Sequence, residues 1–200
     1  SGSAFTWAGN SRENRLTSFA NDPLSDPTTE AFYVRDEDTG VVWGATPAPL
    51  PRRADAGRWV IRHSAGVTRY QHAVDGLQQE VTVFVAPDDP VKLALLTISN
   101  TTAERRRLSV FGYVEWSLGP PRAGERRFVI TEMDDAARVV LARNAYNTEF
   151  RDSVAFWTAT VPPRSYTCDR AEFVGRNRTL SAPAALFRER LDGRTGPGLD

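Results

Sequence analysis

Short segments that alternate between apolar and polar residues constrain this chain most. The clearest pair runs over residues 58–63 and 68–72, with Ala65-Gly66 as a two-residue turn between them. Such a turn places residue 63 opposite residue 68, and residue 59 opposite residue 72. One face of the pair is then largely apolar and the other is polar, because side chains alternate along a strand. This pattern predicts a half-buried antiparallel hairpin.

Similar segments recur at short spacing, and residues that favour turns separate them. The predicted strands are 31–35, 41–43, 80–86, 91–99, 107–116, 127–131, 138–142, 154–160 and 165–168. Segment 91–99 is apolar on both faces, which favours a central position in its sheet. One short helix is predicted over 184–191, with Ser181 as its N-cap. Many short strands with Gly and Pro turns predict an all-β, antiparallel β-sandwich.

Composition divides the chain into three regions. Residues 1–30 form a polar loop region rich in turn formers, 31–180 form the β-sandwich body, and 181–200 hold the short helix and a tail. The length of 200 residues is enough for one domain with a real core. A formal net charge of zero argues against charge-driven binding to nucleic acid or a membrane surface. No segment approaches the ~18–20 apolar residues of a membrane-spanning helix.

Signatures of catalytic and metal chemistry are weak. His63 and His72 share a face of the predicted hairpin, but an offset of four positions separates them by roughly 13 Å, which is too far to share a metal. The acidic turn at 36–40 lacks the glutamate of a calcium loop, since its twelfth position is Pro47. A solvated turn is favoured there. The single Cys168 excludes an internal disulfide, and no carboxylate pair stands out for glycoside chemistry. We expect no cofactor and no metal.

Several motifs resemble the phosphorylase-like region of cyclic β-1,2-glucan synthases. They run in the same order from about residue 6 to residue 200. The motifs are 7–17 with Asn21-Asp22-Pro23, 35–40, 62–66, 89–92, 115–119, 141–147 and 173–177. Ala145 departs from the pattern, since a proline is expected there. The wider family is that of the inverting glucoside phosphorylases, glycoside-hydrolase family 94.

The resemblance implies an N-terminal β-supersandwich of the galactose-mutarotase-like kind. In the family, linker helices and an (α/α)₆ barrel follow it, and the barrel holds the catalytic acid and the phosphate site. We expect this chain to be a piece of such a protein, with an incomplete supersandwich and no catalytic residues of its own. The parent is implied to be a glycosyltransferase or a phosphorylase-like enzyme. It would be a larger inner-membrane protein, with this soluble segment on the cytoplasmic face.

Two roles follow from the resemblance. In the first, the segment is a non-catalytic carbohydrate-binding domain that contacts β-glucan or a gluco-oligosaccharide. The predicted contacts are Asn14, Arg15, Asn21, Asp22 and Trp43. The amides and the acid would hydrogen-bond sugar hydroxyls, the arginine would donate bidentately, and the indole would stack on a pyranose ring. These residues are concentrated in or beside loops, where binding residues are common.

The second role is purely structural. The same polar residues would form internal turn hydrogen bonds, and the segment would pack on the catalytic barrel of the same parent chain or on a second copy in a homodimer. A third interpretation, a free-standing hydrolase or mutarotase-like enzyme, would require detectable glucosidase turnover, and we expect none. Neither of the first two roles involves nucleic acid or direct insertion into a membrane.

Overall fold

The computed structural model describes residues 5–19, 24, 28–51, 57–120 and 125–199. The strands are β1 (Glu30–Asp36), β2 (Val42–Gly44), β3 (Val60–Ser64), β4 (Val67–Val74), β5 (Leu77–Val85), β6 (Lys92–Asn100), β7 (Leu108–Val114), β8 (Val129–Asp134), β9 (Val139–Asn144), β10 (Ala155–Thr158) and β11 (Gly196–Pro197). The helices in these ranges are α1 (Arg170–Phe173) and two 3-10 helices, Glu125–Phe128 and Ala184–Phe187. Strand pairing is antiparallel. The prediction of an antiparallel, mostly β fold is confirmed.

The chain divides into two compact units. Among the described residues, the first unit consists of 30–113, and the second consists of 5–29 together with 114–199. The first contains a sheet of order β2-β1-β7 and a sheet of order β3-β4-β5-β6, and the second contains the sheet β10-β9-β8-β11. The three regions proposed above rest on composition, which is a different criterion, and they stay a prediction.

The β3–β4 hairpin of the first unit has the predicted register. His63 pairs with Thr68 and Ser64 pairs with Val67. Gly66 has a φ of +72°, the left-handed conformation that glycine adopts without strain. Beyond the paired residues, Trp59 stacks on His72 with ring centroids 4.3 Å apart, as the predicted pairing requires. The alternating pattern and the turn residues therefore predicted this element in detail.

The core of the first unit lies against one face of β4 and β5. Along β5, every second side chain from Leu77 to Val83 is buried. The buried apolar residues of this core are Val34, Trp43, Ala45, Tyr70, Val74, Leu77, Val81 and Val83. Because each buried Val or Leu contributes roughly 1.5–3 kcal/mol, this face accounts for most of the driving force that holds β4 and β5 in place.

The Asp36–Gly40 turn is exposed at Asp38, Thr39 and Gly40, as predicted for a solvated turn, but its first residue contributes a buried carboxylate. The Asp36 side chain is 0% exposed. One of its oxygens accepts hydrogen bonds from the amides of Asp38 (2.9 Å) and Thr39 (3.0 Å). The other accepts two bonds from the guanidinium of Arg106, at 2.8 and 2.5 Å. An ion pair therefore joins the β1–β2 turn to the segment before β7.

Strand β6 is an edge strand in the described sheet, not the predicted central one. It pairs with β5 and leaves Leu93 and Leu95 exposed. A run that is apolar on both faces fits a central strand or an edge with an uncovered apolar face, and periodicity alone does not separate the two. Its first residue, Lys92, donates to Glu30 of β1 at 2.6 Å.

The second unit has its own core around β8, β9 and β10. The buried apolar residues are Trp116, Leu118, Val129, Ala142 and Ala155. The N-terminal segment joins this unit through backbone hydrogen bonds from Ser117 to Leu16 (2.8 Å) and from Gly119 to Arg15 (3.0 Å). Within the described part of the N-terminal region, the segment around Arg15 and Leu16 is therefore joined to this folded unit.

The C-terminal helix is shorter than predicted, and a second helix was missed. The predicted helix 184–191 is a 3-10 helix that ends at Phe187, and the hydroxyl of Ser181 bonds to Thr179 instead of capping it. The missed helix α1 begins after Asp169, whose carboxylate caps two amides. Residues 165–168, predicted as a strand, lie outside the strands of the described chain. None of the described helices is long and apolar enough to cross a membrane.

Candidate functional site

Asn14 closes the N-terminal loop of the second unit. Its side-chain amide donates to the carbonyl of Ala8 at 2.9 Å, and the amide of Ala8 donates to the carbonyl of Asn14 at 3.2 Å. Asn10 supports the same loop by accepting from the amides of Arg12 and Glu13. The side chain of Asn14 is buried. This predicted contact residue therefore fixes the shape of the loop.

Arg15 is also engaged within the loop. Its guanidinium donates to the carbonyls of Ser11 and Phe19, both at 3.0 Å, and lies 6.0 Å from the centre of the Phe19 ring. The other two predicted polar contacts, Asn21 and Asp22, lie outside the described residues. The structure thus keeps Asn14 and Arg15 together in one loop.

Trp43 is a core residue, which corrects the prediction that its ring is available for stacking on a sugar. It is 5% exposed and belongs to the core of the first unit. Its indole nitrogen donates to the side-chain oxygen of Gln79 at 2.8 Å, and the amide of Gln79 donates to the carbonyl of Gly44. Because the indole N–H has a buried partner, the whole ring is buried without an unsatisfied donor.

An exposed ring in the second unit offers the surface that Trp43 lacks. Tyr146 is 72% exposed, and one face of its ring stacks on Phe128 with centroids 4.1 Å apart. The guanidinium of Arg127 lies 4.9 Å from the centre of the Phe128 ring. Trp7, in the N-terminal loop, is 50% exposed. Tyr146 was not among the residues predicted from the sequence.

A buried asparagine holds the loop that carries Tyr146. The side-chain amide of Asn147 donates to the carbonyls of Glu13 and Leu118, both at 3.1 Å. Its oxygen accepts from the amides of Glu149 and Phe150. Asn147 therefore ties residues 144–150 to the N-terminal loop, and we call residues 6–17 and 144–150 together the loop surface.

The loop surface combines a fixed backbone with uncovered aromatic rings. Flat aromatic rings match the apolar face of a pyranose. The arrangement is suited to binding a sugar chain by stacking.

The two histidines have separate hydrogen-bond partners. The imidazole of His63 bonds to Thr68, and that of His72 bonds to the carbonyl of Gly57. Among the described residues no group of three His, Cys, Asp or Glu side chains is placed to hold a metal ion.

Comparison with known proteins connects this geometry to a family. The sequence profile described as "Glycosyl hydrolase 94, supersandwich domain" matches residues 1–200. The chain is 36% identical to the cyclic beta-(1,2)-glucan synthase NdvB of Rhizobium meliloti (strain 1021) over 186 residues, which is 93% of this chain and 6% of that protein.

Phosphorylases match at lower identity. The N,N'-diacetylchitobiose phosphorylase of Vibrio proteolyticus is 26% identical over 88% of this chain and 23% of its own length. The solabiose phosphorylase of Paenibacillus borealis is 29% identical over 78% of this chain and 21% of its own length. The chain thus spans less than a quarter of each of these relatives.

Proposed function

The chain belongs to the glycosyl hydrolase 94 supersandwich family, and on that premise we propose that it is a non-catalytic carbohydrate-binding domain that holds β-1,2-glucan at its loop surface. Its parent protein would act on the glucan by glucosyl transfer or phosphorolysis, at the cytoplasmic face of the inner membrane. The relative named as a cyclic beta-(1,2)-glucan synthase supports the choice of glucan.

The observation that carries the proposal is the exposed ring of Tyr146. One of its faces rests on Phe128, and Asn147 anchors its loop through four hydrogen bonds to neighbouring backbone groups. A ring held this way loses little conformational freedom when a ligand covers it, and preorganisation of that kind strengthens binding. The C–H face of a glucose unit would pack on the open side of the ring.

Polar groups near the ring would complete the contact. Arg127 lies over Phe128, on which Tyr146 stacks, and Arg143 directly precedes residues 144–150 and is 3.8 Å from Glu132, both of them half-exposed. Exposed ion pairs of this length contribute little to stability. The guanidinium of Arg143 is therefore free to exchange its carboxylate partner for the hydroxyls of a sugar at little cost.

The test is a calorimetric titration of the 200-residue chain with a linear β-1,2-linked gluco-oligosaccharide. We expect Tyr146→Ala to weaken binding about five-fold, equivalent to about 1 kcal/mol of stacking, whereas Tyr146→Phe keeps the ring and the affinity. Phe187→Ala is the matched control, because Phe187 is an exposed aromatic residue of the same unit. The guanidinium of Arg178 lies 5.2 Å from the centre of its ring. Equal binding by the Tyr146→Ala variant and the unaltered chain would contradict the proposal.

A structural role is the second candidate, and the hydrogen bonds of Asn14 and Arg15 favour it. Both side chains donate to carbonyls of their own loop, as the alternative from the sequence expects. The partner would then be the catalytic barrel of the parent chain or a second copy. No heat of binding for the unaltered chain, together with self-association in sedimentation velocity, would support this role over sugar binding.

A further inference from the structure

A cavity of about 380 Å³ lies in the second unit, built by residues outside the loop surface. Three segments line it, namely the turn between β8 and β9, residues 162–166 and residues 190–193, and its remaining side is open to solvent. Its volume falls within the range of about 300–1,000 Å³ that is usual for small-molecule sites.

Three hydrogen bonds, one of them between two backbone groups, join two of the segments that line this cavity. The amide of Gly193 donates to the carbonyl of Tyr166 at 2.8 Å, and the amide of Leu191 donates to the hydroxyl of Ser165 at 3.0 Å. The guanidinium of Arg190 donates to the carbonyl of Arg164 at 3.2 Å. The two segments therefore run side by side, although neither forms a strand in this part of the chain.

The charges that line the cavity do not balance. Asp192 is paired with Arg188 at 3.2 Å and with Arg194 at 3.3 Å, and Arg164 is paired with Glu189 at 3.0 Å. Within the described residues, no ion pair engages the remaining three charged groups that line the cavity, Arg138, Arg190 and Asp135. Two cations and one carboxylate leave an excess of one positive charge.

The backbone of Arg138 is strained where it meets the cavity. Its φ is +57°, a left-handed conformation in which the β-carbon crowds the neighbouring carbonyl and which glycine or asparagine adopts more easily. Hydrogen bonds from the amide of Ala137 to Asp134 and from the hydroxyl of Thr158 to the carbonyl of Arg138 hold this turn. Strained residues of this kind are concentrated at binding sites.

We propose that the cavity binds a sugar that carries one anionic group. Arg138 and Arg190 would hold the anion, and Asp135 and the Tyr166 hydroxyl would bond to the sugar hydroxyls. The planar guanidinium group offers two parallel donors to a carboxylate or a phosphate, and an aspartate accepts from hydroxyls. Either a carboxylate or a phosphate can accept hydrogen bonds from both arginines. The proposal therefore specifies a negative charge on the sugar, and the two kinds of anion are separated by the test.

The protonation state of Tyr166 suits this role. Partial burial and the negative charge of nearby Asp135 raise the pKa of the Tyr166 phenol. The phenol is therefore neutral at pH 7, so that it donates a hydrogen bond and adds no negative charge to the site.

The first test is a calorimetric titration of the 200-residue chain with glucuronate and with glucose 6-phosphate. We expect at least one of them to bind with a Kd on the order of 1 mM, and glucose and inorganic phosphate to bind at least about ten-fold more weakly. The tighter of the two acidic sugars identifies the anion as carboxylate or phosphate. Binding of neither acidic sugar, or equal binding of glucose, overturns the proposal.

The second test uses the strain at Arg138. Arg138→Gln should weaken binding at least about ten-fold. Arg138→Gly should do the same and also raise the thermal midpoint, because glycine relieves the strain. Arg176→Gln removes an equal charge from an exposed loop after α1 and should change neither property. A stabilised Arg138→Gly variant with unaltered binding refutes the assignment. Tyr146→Ala should leave this site intact, so its outcome is separate from that of the loop surface.

Discussion

Replacing Asp36 by asparagine should destabilise the first unit far more than the same replacement at Asp38, which lies in the same turn. The side chain of Asp36 is fully buried and accepts four hydrogen bonds. Asparagine keeps an oxygen for the amides of Asp38 and Thr39, but it removes the negative charge that faces Arg106. The guanidinium is then left without its counter-charge.

The size of the loss follows from this geometry. Removing one partner of a buried ion pair costs about 3–5 kcal/mol. Arg106 keeps 16% of its side chain exposed and a bond to a second partner, the carbonyl of Asp75 at 3.0 Å, and both reduce the cost. We therefore expect Asp36→Asn to lower the free energy of unfolding by about 2–4 kcal/mol at pH 7.

The effect should depend on pH in a defined direction. Burial acts to raise the pKa of Asp36, but the hydrogen bonds from Arg106 and from the amides of Thr39 and Asp38 outweigh it, so the pKa is lowered. A lowered pKa contributes stability above the unfolded value of about 4, and this is lost as the pH falls through the folded value. The difference between the two proteins should shrink below about pH 4.

Urea denaturation followed by tryptophan fluorescence measures this difference. Asp38→Asn is the control, because Asp38 lies in the same turn and pairs with Arg107, but the two side chains are 43% and 68% exposed. We expect that control to leave the unfolding midpoint unchanged. Equal shifts for Asp36→Asn and Asp38→Asn would refute the reasoning that burial makes the Asp36 pair strong.

Four further substitutions test other parts of the structure. Gly66→Ala should lower the free energy of unfolding by about 1 kcal/mol, because φ is positive there but no atom lies within 4 Å of the added β-carbon. Gly76→Ala should lower it further, since the added β-carbon would collide with the Thr102 side chain. Thermal midpoints of the two variants compare these losses. Gln79→Leu should lower the free energy of unfolding by about 1–3 kcal/mol, because it leaves a buried indole N–H without an acceptor; urea denaturation measures this. Asn147→Ala should weaken gluco-oligosaccharide binding in calorimetry by releasing the loop that holds the exposed tyrosine, and unaltered affinity would argue against that role.

The parts of the fold that sequence predicted well are those fixed by local signals. The register of the β3–β4 hairpin follows from a period-two pattern and the Ala65-Gly66 turn, both contained within fifteen residues. The edge position of β6 has no such signal, because it depends on which strands are added beside it. The buried state of Asp36 likewise depends on Arg106, which lies 70 positions away.

The residues of the candidate site also differ in whether a local sequence signal predicts their position. Trp43 lies beside polar loops in the sequence, yet its burial depends on Gln79, 36 positions away. Tyr146 does have a local signal, since Asn144 and Asn147 flank it. Asparagine side chains often hold the backbone of loops, and both do so here. An exposed aromatic residue between two such asparagines is a pattern that sequence analysis can look for.

The single lysine makes local unfolding at one edge of the first unit measurable by proteolysis. Lys92 is the only lysine among 200 residues, and it sits at the start of edge strand β6 with its ammonium group on Glu30. A lysine-specific endoprotease therefore has one place to cut, and it needs the strand to peel away from β5 first. The rate at which two fragments accumulate measures how often that edge opens under native conditions.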